Sequence, residues 1–430
     1  MTETAPEADP GRPPDRDRDA TPAPPARPWS LLTDRTFGPF FLGSLVSNAG
    51  NWFQNLAAAV VIYAVTGSNT LVGVVSVLQF GATLVLSPWA GVAGDRFDRR
   101  RLLVAAQLVS FVGAAGLAVA VALVGVDGLG GPLPVFGATL VIGVGYAFSV
   151  PMIQAIVPQL VRREDLDSAI ALSSVTFNLA RAIGPALAGA LIGAAGAAAA
   201  FGVNAASFLV LCLALLVVHP RPVEVEQSDD GDRSIRGGFR WARADPVAVP
   251  ILLATLALGW ASDPVNTLSP AVADGFGHTD AFVGALVSAF GAGAAATALV
   301  VERIRGRLGG LRATQLAFLL ISAGLIGLAF SPHEVLGLAA LALAGAGFLI
   351  GVTSLNGALQ RRVPESLRGR VMALWSVALL GSRPFAALVD GSVADLTTTS
   401  TALCVAGAVP IVAALLLRRV RTPDTEGAPA

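Results

Sequence analysis

A chain of 430 residues that is 54% hydrophobic and 13% charged, with a mean hydropathy of +0.69, lacks the charged surface of a soluble protein, where about 25% of residues are charged. The formal net charge is zero, with 29 acidic and 29 basic residues, so no bulk positive field points to nucleic acid as a partner. A cytosolic enzyme and a secreted, disulfide-stapled module are excluded, and the composition is that of an all-α polytopic membrane protein.

Residues 1–34 read as a disordered cytoplasmic tail. The first 28 hold eight Pro and four Arg and no apolar stretch, so they lack the apolar segment of a signal peptide. From Phe37 onward, long apolar runs alternate with short polar breaks. Crossing about 30 Å of hydrocarbon takes about 20 helical residues. Twelve segments meet that length, near 37–65, 71–93, 102–124, 134–158, 168–194, 197–218, 247–272, 281–301, 311–330, 335–358, 371–393 and 402–418. A soluble helical solenoid does not fit runs such as 102–124, which carry no charge at all.

Every basic residue is Arg, and 27 of the 29 fall in the two tails and in alternate breaks. The intervening breaks (66–70, 125–133, 195–196, 273–280, 331–334 and 394–401) hold none. The positive-inside rule then puts both termini on the cytoplasmic side of the membrane. The polar stretch 219–245 is the longest internal break and reads as a cytoplasmic linker between a bundle at 35–218 and a second at 246–420, with a cytoplasmic C-terminal tail at 421–430. Ala171-Leu-Ser-Ser174 reappears as Ala373-Leu-Trp-Ser376, an offset of 202 that also carries Arg181 onto Arg383. Two pseudo-equivalent six-helix bundles with a path between them are a transporter architecture.

The sharpest motif is Gly91-x-x-x-Asp95-Arg96-x-x-Arg99-Arg100, at the end of the second span. The Gly permits tight helix contact, Asp95 suits the positive N-terminal end of a neighbouring helix, and the arginines suit acids or anionic headgroups of membrane lipids. The motif resembles the loop signature of the major facilitator superfamily. Further residues are similar to its enterobactin-exporter-like branch, the transmembrane secretion effectors, which includes macrolide efflux relatives. These are Asn51-Trp52-Phe53-Gln54, Val157-Pro158-Gln159-Leu160-Val161, the run from Asn178 through Arg181 and Gly184-Pro185 to Gly189, and Arg368-Gly369-Arg370-Val371. The likeness spans about 35–420, and it thins in the second half, where the loop signature is reduced to Glu302-Arg303.

The resemblance implies export of a small organic molecule (a drug, siderophore or natural product) by alternating access, with proton entry as the driving force, and a loop signature that controls conformational switching. Import of a nutrient by the same fold stays open, as does a transporter-like sensor or lipid-handling protein. A single chain suffices for this architecture, so a monomer is expected.

In the first span Ser44, Ser47, Asn48, Asn51 and Asn55 form a polar stripe at helical spacing. It must face a water-filled cavity or another helix, because amides cannot face lipid unpaired. Spans one, four, seven and ten line the site by analogy with the family. The candidate cargo contacts are therefore Asn48, Asn51, Trp52, Asn55, Gln154, Trp260, Asp263, Asn266 and Asn356, with Gln54 flanking the stripe. Charges at mid-span are costly, so Arg181, Arg383, Asp263 and Asp390 are candidates for proton coupling or for pairing with one another, Asp263 first among the acids. Pro264 is expected to break the seventh span. Gly184, Pro185 and Gly189 resemble part of an antiporter motif and equally suit an ordinary kink. His219, His278 and His333 lie far apart and there is no phosphate-binding loop, so neither a metal nor a cofactor is expected.

Overall fold

The computed structural model describes residues 28–218, 235–278, 280–364 and 367–417, as helices joined by short turns. The first half contains α1 (Phe37–Thr66), α2 (Asn69–Arg96), α3 (Arg99–Val124), α4 (Leu133–Leu160) and α5 (Leu166–Val217). The 52 residues of α5 are two spans meeting at Gly196, whose φ of 79° reverses the chain in a region that favours glycine. The break expected at 195–196 is thus a single residue. The second half contains α6 (Ile235–Ala244), then α7 (Ala248–Ser262), α8 (Pro264–Thr267) and α9 (Ser269–Gly275), which together make one interrupted span. It continues with α10 (Asp280–Ala298), α11 (Val301–Leu308), α12 (Gly310–Ala329), α13 (Glu334–Arg362), α14 (Arg368–Leu396) and α15 (Thr399–Leu417).

Among the described residues, ten stretches are long and apolar enough to cross a membrane by length and composition alone. The segment Ile183–Val217 counts once among them although α5 holds two spans, and α1 is not among them at all. The 30 residues of α1 would reach about 45 Å at 1.5 Å per residue, but Asn48, Asn51, Gln54 and Asn55 dilute its apolar content. With these two adjustments there are twelve spans in two bundles.

Two stretches that read as irregular are ordered. Pro28–Thr33 is a 3-10 helix that buries Leu31 against Phe37, and the Asp34 carboxylate accepts from the amides of Thr36 (2.7 Å) and Phe37 (2.8 Å) to start α1. Within the linker, α6 is short and strongly amphipathic, with Ala242 buried and Phe239 exposed, and it rests on α7 and α14.

Within the first half α1 packs on α5, α3 on α4 and α5, and α2 on α4. Within the second, α12 packs on α13 and α15, α10 on α13, and α7 on α14 and α15. The halves meet along α2–α14 and α5–α10. At both seams backbone touches backbone. There is no space for a Cβ at Gly73 beside Ala387, at Gly391 beside Asn69, or at Gly189 beside Gly284. All these contacts lie toward the end of the bundle whose turns carry no arginine.

At that same end Asp395, in the last turn of α14, reaches across the seam to the start of α2. Its carboxylate accepts from the backbone amides of Asn69 (2.8 Å) and Thr70 (2.9 Å), the Ser68 hydroxyl (2.6 Å) and the Asn69 side-chain amide (3.1 Å). Free amides and the positive end of the helix dipole make a helix start a natural seat for a carboxylate. Here the carboxylate comes from the other bundle.

Candidate transport site

The seventh span is broken where the sequence places Pro264. Proline offers no N–H, so the Asp263 amide bonds instead to the Trp260 carbonyl at 3.0 Å, a tighter turn. Asp263 keeps helical dihedrals (φ −74°, ψ −39°), so the span bends there without unwinding. The break turns Asp263 and Asn266 toward the seam between halves.

Asp263 is fully buried. One carboxylate oxygen accepts from the Thr267 hydroxyl at 2.6 Å, and the other lies 3.6 Å from Nε of Arg383, an ion pair too long to be a hydrogen bond. Arg383 stands on α14 just before Pro384. Its guanidinium lies 5.0 Å from the ring centroid of Phe80 on α2, a cation–π contact between the two halves. Its side chain is 18% exposed, toward a central cavity. Trp52 and Asn55 from α1, Ser76, Gln79 and Phe80 from α2, Asn266 and Thr267 from α8, and Arg383 line that cavity, with Leu56, Ala59, Val72, Val75 and Val287 as its apolar wall.

Beside Asp263 lies Asp390, also fully buried, and among the described residues no cation pairs with it. Its neighbours are Asp263 and the indole N–H of Trp260, the one donor set against its carboxyl.

Of the cargo contacts expected from sequence, Trp52, Asn55 and Asn266 line the cavity, and Asp263 and Trp260 stand in the layer behind it. The others lie elsewhere. Asn48 donates to the Thr176 hydroxyl of α5 at 3.4 Å, Gln154 is exposed on α4, and Asn356 accepts from Gln360 on its own helix at 2.8 Å. Asn51 is half-buried with its carbonyl oxygen unpaired. Gln54 accepts from Asn204 at 3.2 Å and is buried between spans. Ser47 bonds to Gln107 of α3 at 3.4 Å. The stripe shares one face of α1, but what stands opposite changes with depth, from α3 and α5 to the cavity. Ser76, Gln79, Phe80 and Thr267 escaped the sequence reading, although Ser76, Gln79 and Phe80 have the i, i+3, i+4 spacing of one helix face.

The glycine motif of α5 serves packing. A Cβ on Gly184 would collide with the ring of Trp52, so Gly184 seats that indole, and Gly189 seats α10. In the loop signature, nothing lies within reach of a Cβ on Gly91, so the tight contact expected there is absent and Gly94, against Met152, supplies one instead. Among the described residues, Arg99 and Arg100 make no ion pair with an acid. Arg99 donates to the carbonyls of Gly94 (3.4 Å) and Ala155 (3.3 Å), and Arg100 to those of Leu215 (2.6 Å) and Leu216 (2.8 Å). Carbonyls freed at helix C-termini attract cations, which explains the preference. Arg96 is exposed. The side chains of Asp95 and Arg181 lie outside the described residues.

Outside the membrane spans, Asp245 accepts from the amides of Val247 (2.8 Å) and Ala248 (2.9 Å) at the start of α7 and pairs with Arg362 at 3.2 Å. Burial alone would raise its pKa, but these amides and the Arg362 guanidinium outweigh burial and hold it below the usual carboxylate range.

Two six-span bundles meeting around a shared cavity define a transporter of the major facilitator type. The comparisons with known proteins agree. The chain superposes on the D-xylose–proton symporter (TM-score 0.73, 14% identity, 91% of this chain and 99% of that one) and on the nucleoside transporter NupG (0.69, 14% identity, 90% and 99%), a likeness of fold alone. It belongs to the transmembrane secretion effector family, whose model matches residues 26–429. It is 32% identical over 398 residues to the enterobactin exporter EntS of Escherichia coli O127:H6, covering 90% of this chain and 92% of that one, and equally similar to the same exporter in Shigella boydii serotype 4. It is a multi-pass membrane transporter, not an enzyme.

Proposed function

We propose that the chain exports a small organic molecule across the bacterial plasma membrane by alternating access, with proton entry as the driving force. The observation that carries this reading is the central cavity, which takes its lining from both halves and so can be opened to either side by rocking one against the other. The arginine-bearing turns and both termini face the cytoplasm, which makes the tightly packed, arginine-free end the external one, here closed. A single chain contains the whole path and works as a monomer.

The cavity offers one cation, Arg383, two aromatic faces, Trp52 and Phe80, and the amides of Asn55, Gln79 and Asn266. This set suits an aromatic cargo with anionic or hydrogen-bond-accepting oxygens. Similarity to an exporter of enterobactin supports export of a molecule of that kind. In everted membrane vesicles containing the chain, an acidic lumen should drive accumulation of enterobactin, and a protonophore should abolish it. Accumulation that ignores the pH gradient would overturn proton driving. Accumulation only in right-side-out vesicles would reverse the direction.

A further inference from the structure

Asp390 lies seven residues beyond Arg383 on α14, about 10 Å along the axis at 1.5 Å per residue, and nearer the arginine-free end. It is fully buried, the one donor beside it among the described residues is the Trp260 indole N–H, and no cation pairs with it there. The neighbouring acid is differently placed, since Asp263 has the Thr267 hydroxyl on one oxygen and Arg383 facing the other.

The helices packed on α14 bring no further charge to Asp390. No charged side chain occurs in α2 before Asp95, in α7 or in α8, and the only titratable side chain of α15 is Cys404. The charges of α13 stand at its two ends, Glu334 against His278, Arg362 against Asp245 and Arg361 beside Arg305. The arginines of α6 meet α14 at its opposite end, where Gly238 touches Arg370. Asp395, on α14 itself, is occupied by the start of α2.

Two buried acids therefore share one described cation. An ionised carboxylate inside a span with a single neutral donor and no counter-ion is a costly arrangement, whereas a neutral carboxyl there needs far less compensation. Resting on the proton-driven reading above, we infer that Asp390 is the residue that carries the proton and is neutral in the present conformation, while Asp263 stays ionised against Arg383.

The cycle then follows from burial. With the external end open, a proton from water binds the Asp390 carboxylate, and the neutral group tolerates burial when the seam closes. The proton leaves through the cavity, past Asp263, to cytoplasmic water. Only an O–H bond forms and breaks. The carboxylate left behind has no counter-ion among the described residues of the closed seam, which favours reopening to the outside with cargo aboard.

Infrared titration of the full chain in lipid nanodiscs tests this without cargo. Above the pH at which exposed carboxylates have ionised, the wild type should keep one protonated-carboxyl C=O band that disappears on further alkalinisation. Asp390→Asn should lack the band at every pH in that range, and Asp263→Asn should keep it. A band that survives Asp390→Asn, disappears in Asp263→Asn, or is missing from the wild type overturns the assignment. Thermal unfolding provides a second reading. Asparagine resembles the neutral acid, so at neutral pH Asp390→Asn should unfold at the wild-type temperature, while Asp263→Asn, which strips Arg383 of its counter-ion, should unfold lower. A comparable loss in both variants also overturns it. Enterobactin accumulation by wild-type vesicles keeps the two questions apart: accumulation indifferent to the pH gradient defeats proton driving, whereas the band alone locates the proton.

Discussion

Replacing Asp395 by Asn should loosen the external end of the molecule. The carboxylate gathers four donors at the start of α2, two of them backbone amides at 2.8 and 2.9 Å. Asparagine has one acceptor oxygen. However it is turned, its NH2 faces donors, and at least one amide loses its partner. Loss of a helix cap costs about 1 kcal/mol, within a range of about 0.5–2, and loss of the charge at the helix start adds about 0.3–1. The site is solvent-exposed, so water replaces part of what is lost and about 1 kcal/mol is the fair total. The bonds join the two halves across the seam, so in the proposed alternating-access cycle the whole change falls on the balance between closed and open conformations, shifting it about fivefold. Ser76→Cys, in a background with Cys212→Ser and Cys404→Ser, places a thiol in the cavity wall. A membrane-impermeant maleimide added to intact cells should label it about fivefold faster when Asp395→Asn is present. Unchanged labelling at equal protein level would refute the gating role.

Other perturbations have equally definite outcomes. Arg383→Gln should weaken enterobactin binding by tenfold or more, since a charge-assisted contact contributes about 1.5–3 kcal/mol, and Arg383→Lys should fall between, keeping the charge but losing the planar stack on Phe80; equal affinities by isothermal calorimetry would remove Arg383 from the site. Gly189→Ala pushes a methyl against the Gly284 backbone and should lower stability by about 1–3 kcal/mol, read as a lower unfolding temperature. Asp245 has its pKa lowered in the folded state, so its contribution is present above the ordinary carboxylate pKa and fades as pH falls through the folded value. Asp245→Asn should therefore unfold at a lower temperature than wild type at neutral pH, with the gap closing in acid; a gap independent of pH would mean that the ion pair with Arg362 is idle.

Much of the architecture is legible in the sequence because lipid imposes a length on every span and the arginines mark alternate turns. Even the join inside α5 reads correctly, since Gly196 can adopt the positive φ the reversal needs. The site is legible only where a residue is conspicuous in its own span, as Asn55, Asn266 and Arg383 are. Phe80 is not, because an aromatic residue in an apolar helix says nothing of which neighbour it meets. Gln154 and Asn356 stand on helices that family analogy assigns to the cavity, yet their positions along those helices carry them away from it. Asp395 reads as part of an external turn. Its partners are 326 residues away in sequence, and nothing local announces that α2 begins beside it. Preference between Asp263 and Asp390 is likewise beyond sequence, since it depends on which of them faces a cation.

The antiparallel run of α2 and α14 has a mechanical corollary. One helix starts at Asn69 where the other ends at Leu396, and one ends at Arg96 on the side where the other starts at Arg368. Asp395 and Asp95 are each the penultimate residue of their helix. A rigid beam pivoting at mid-span opens one tip as it closes the other, so the Asp395 catch is engaged in only one of its two rest positions. The same geometry that lets cargo through would thereby keep ions from leaking alongside it.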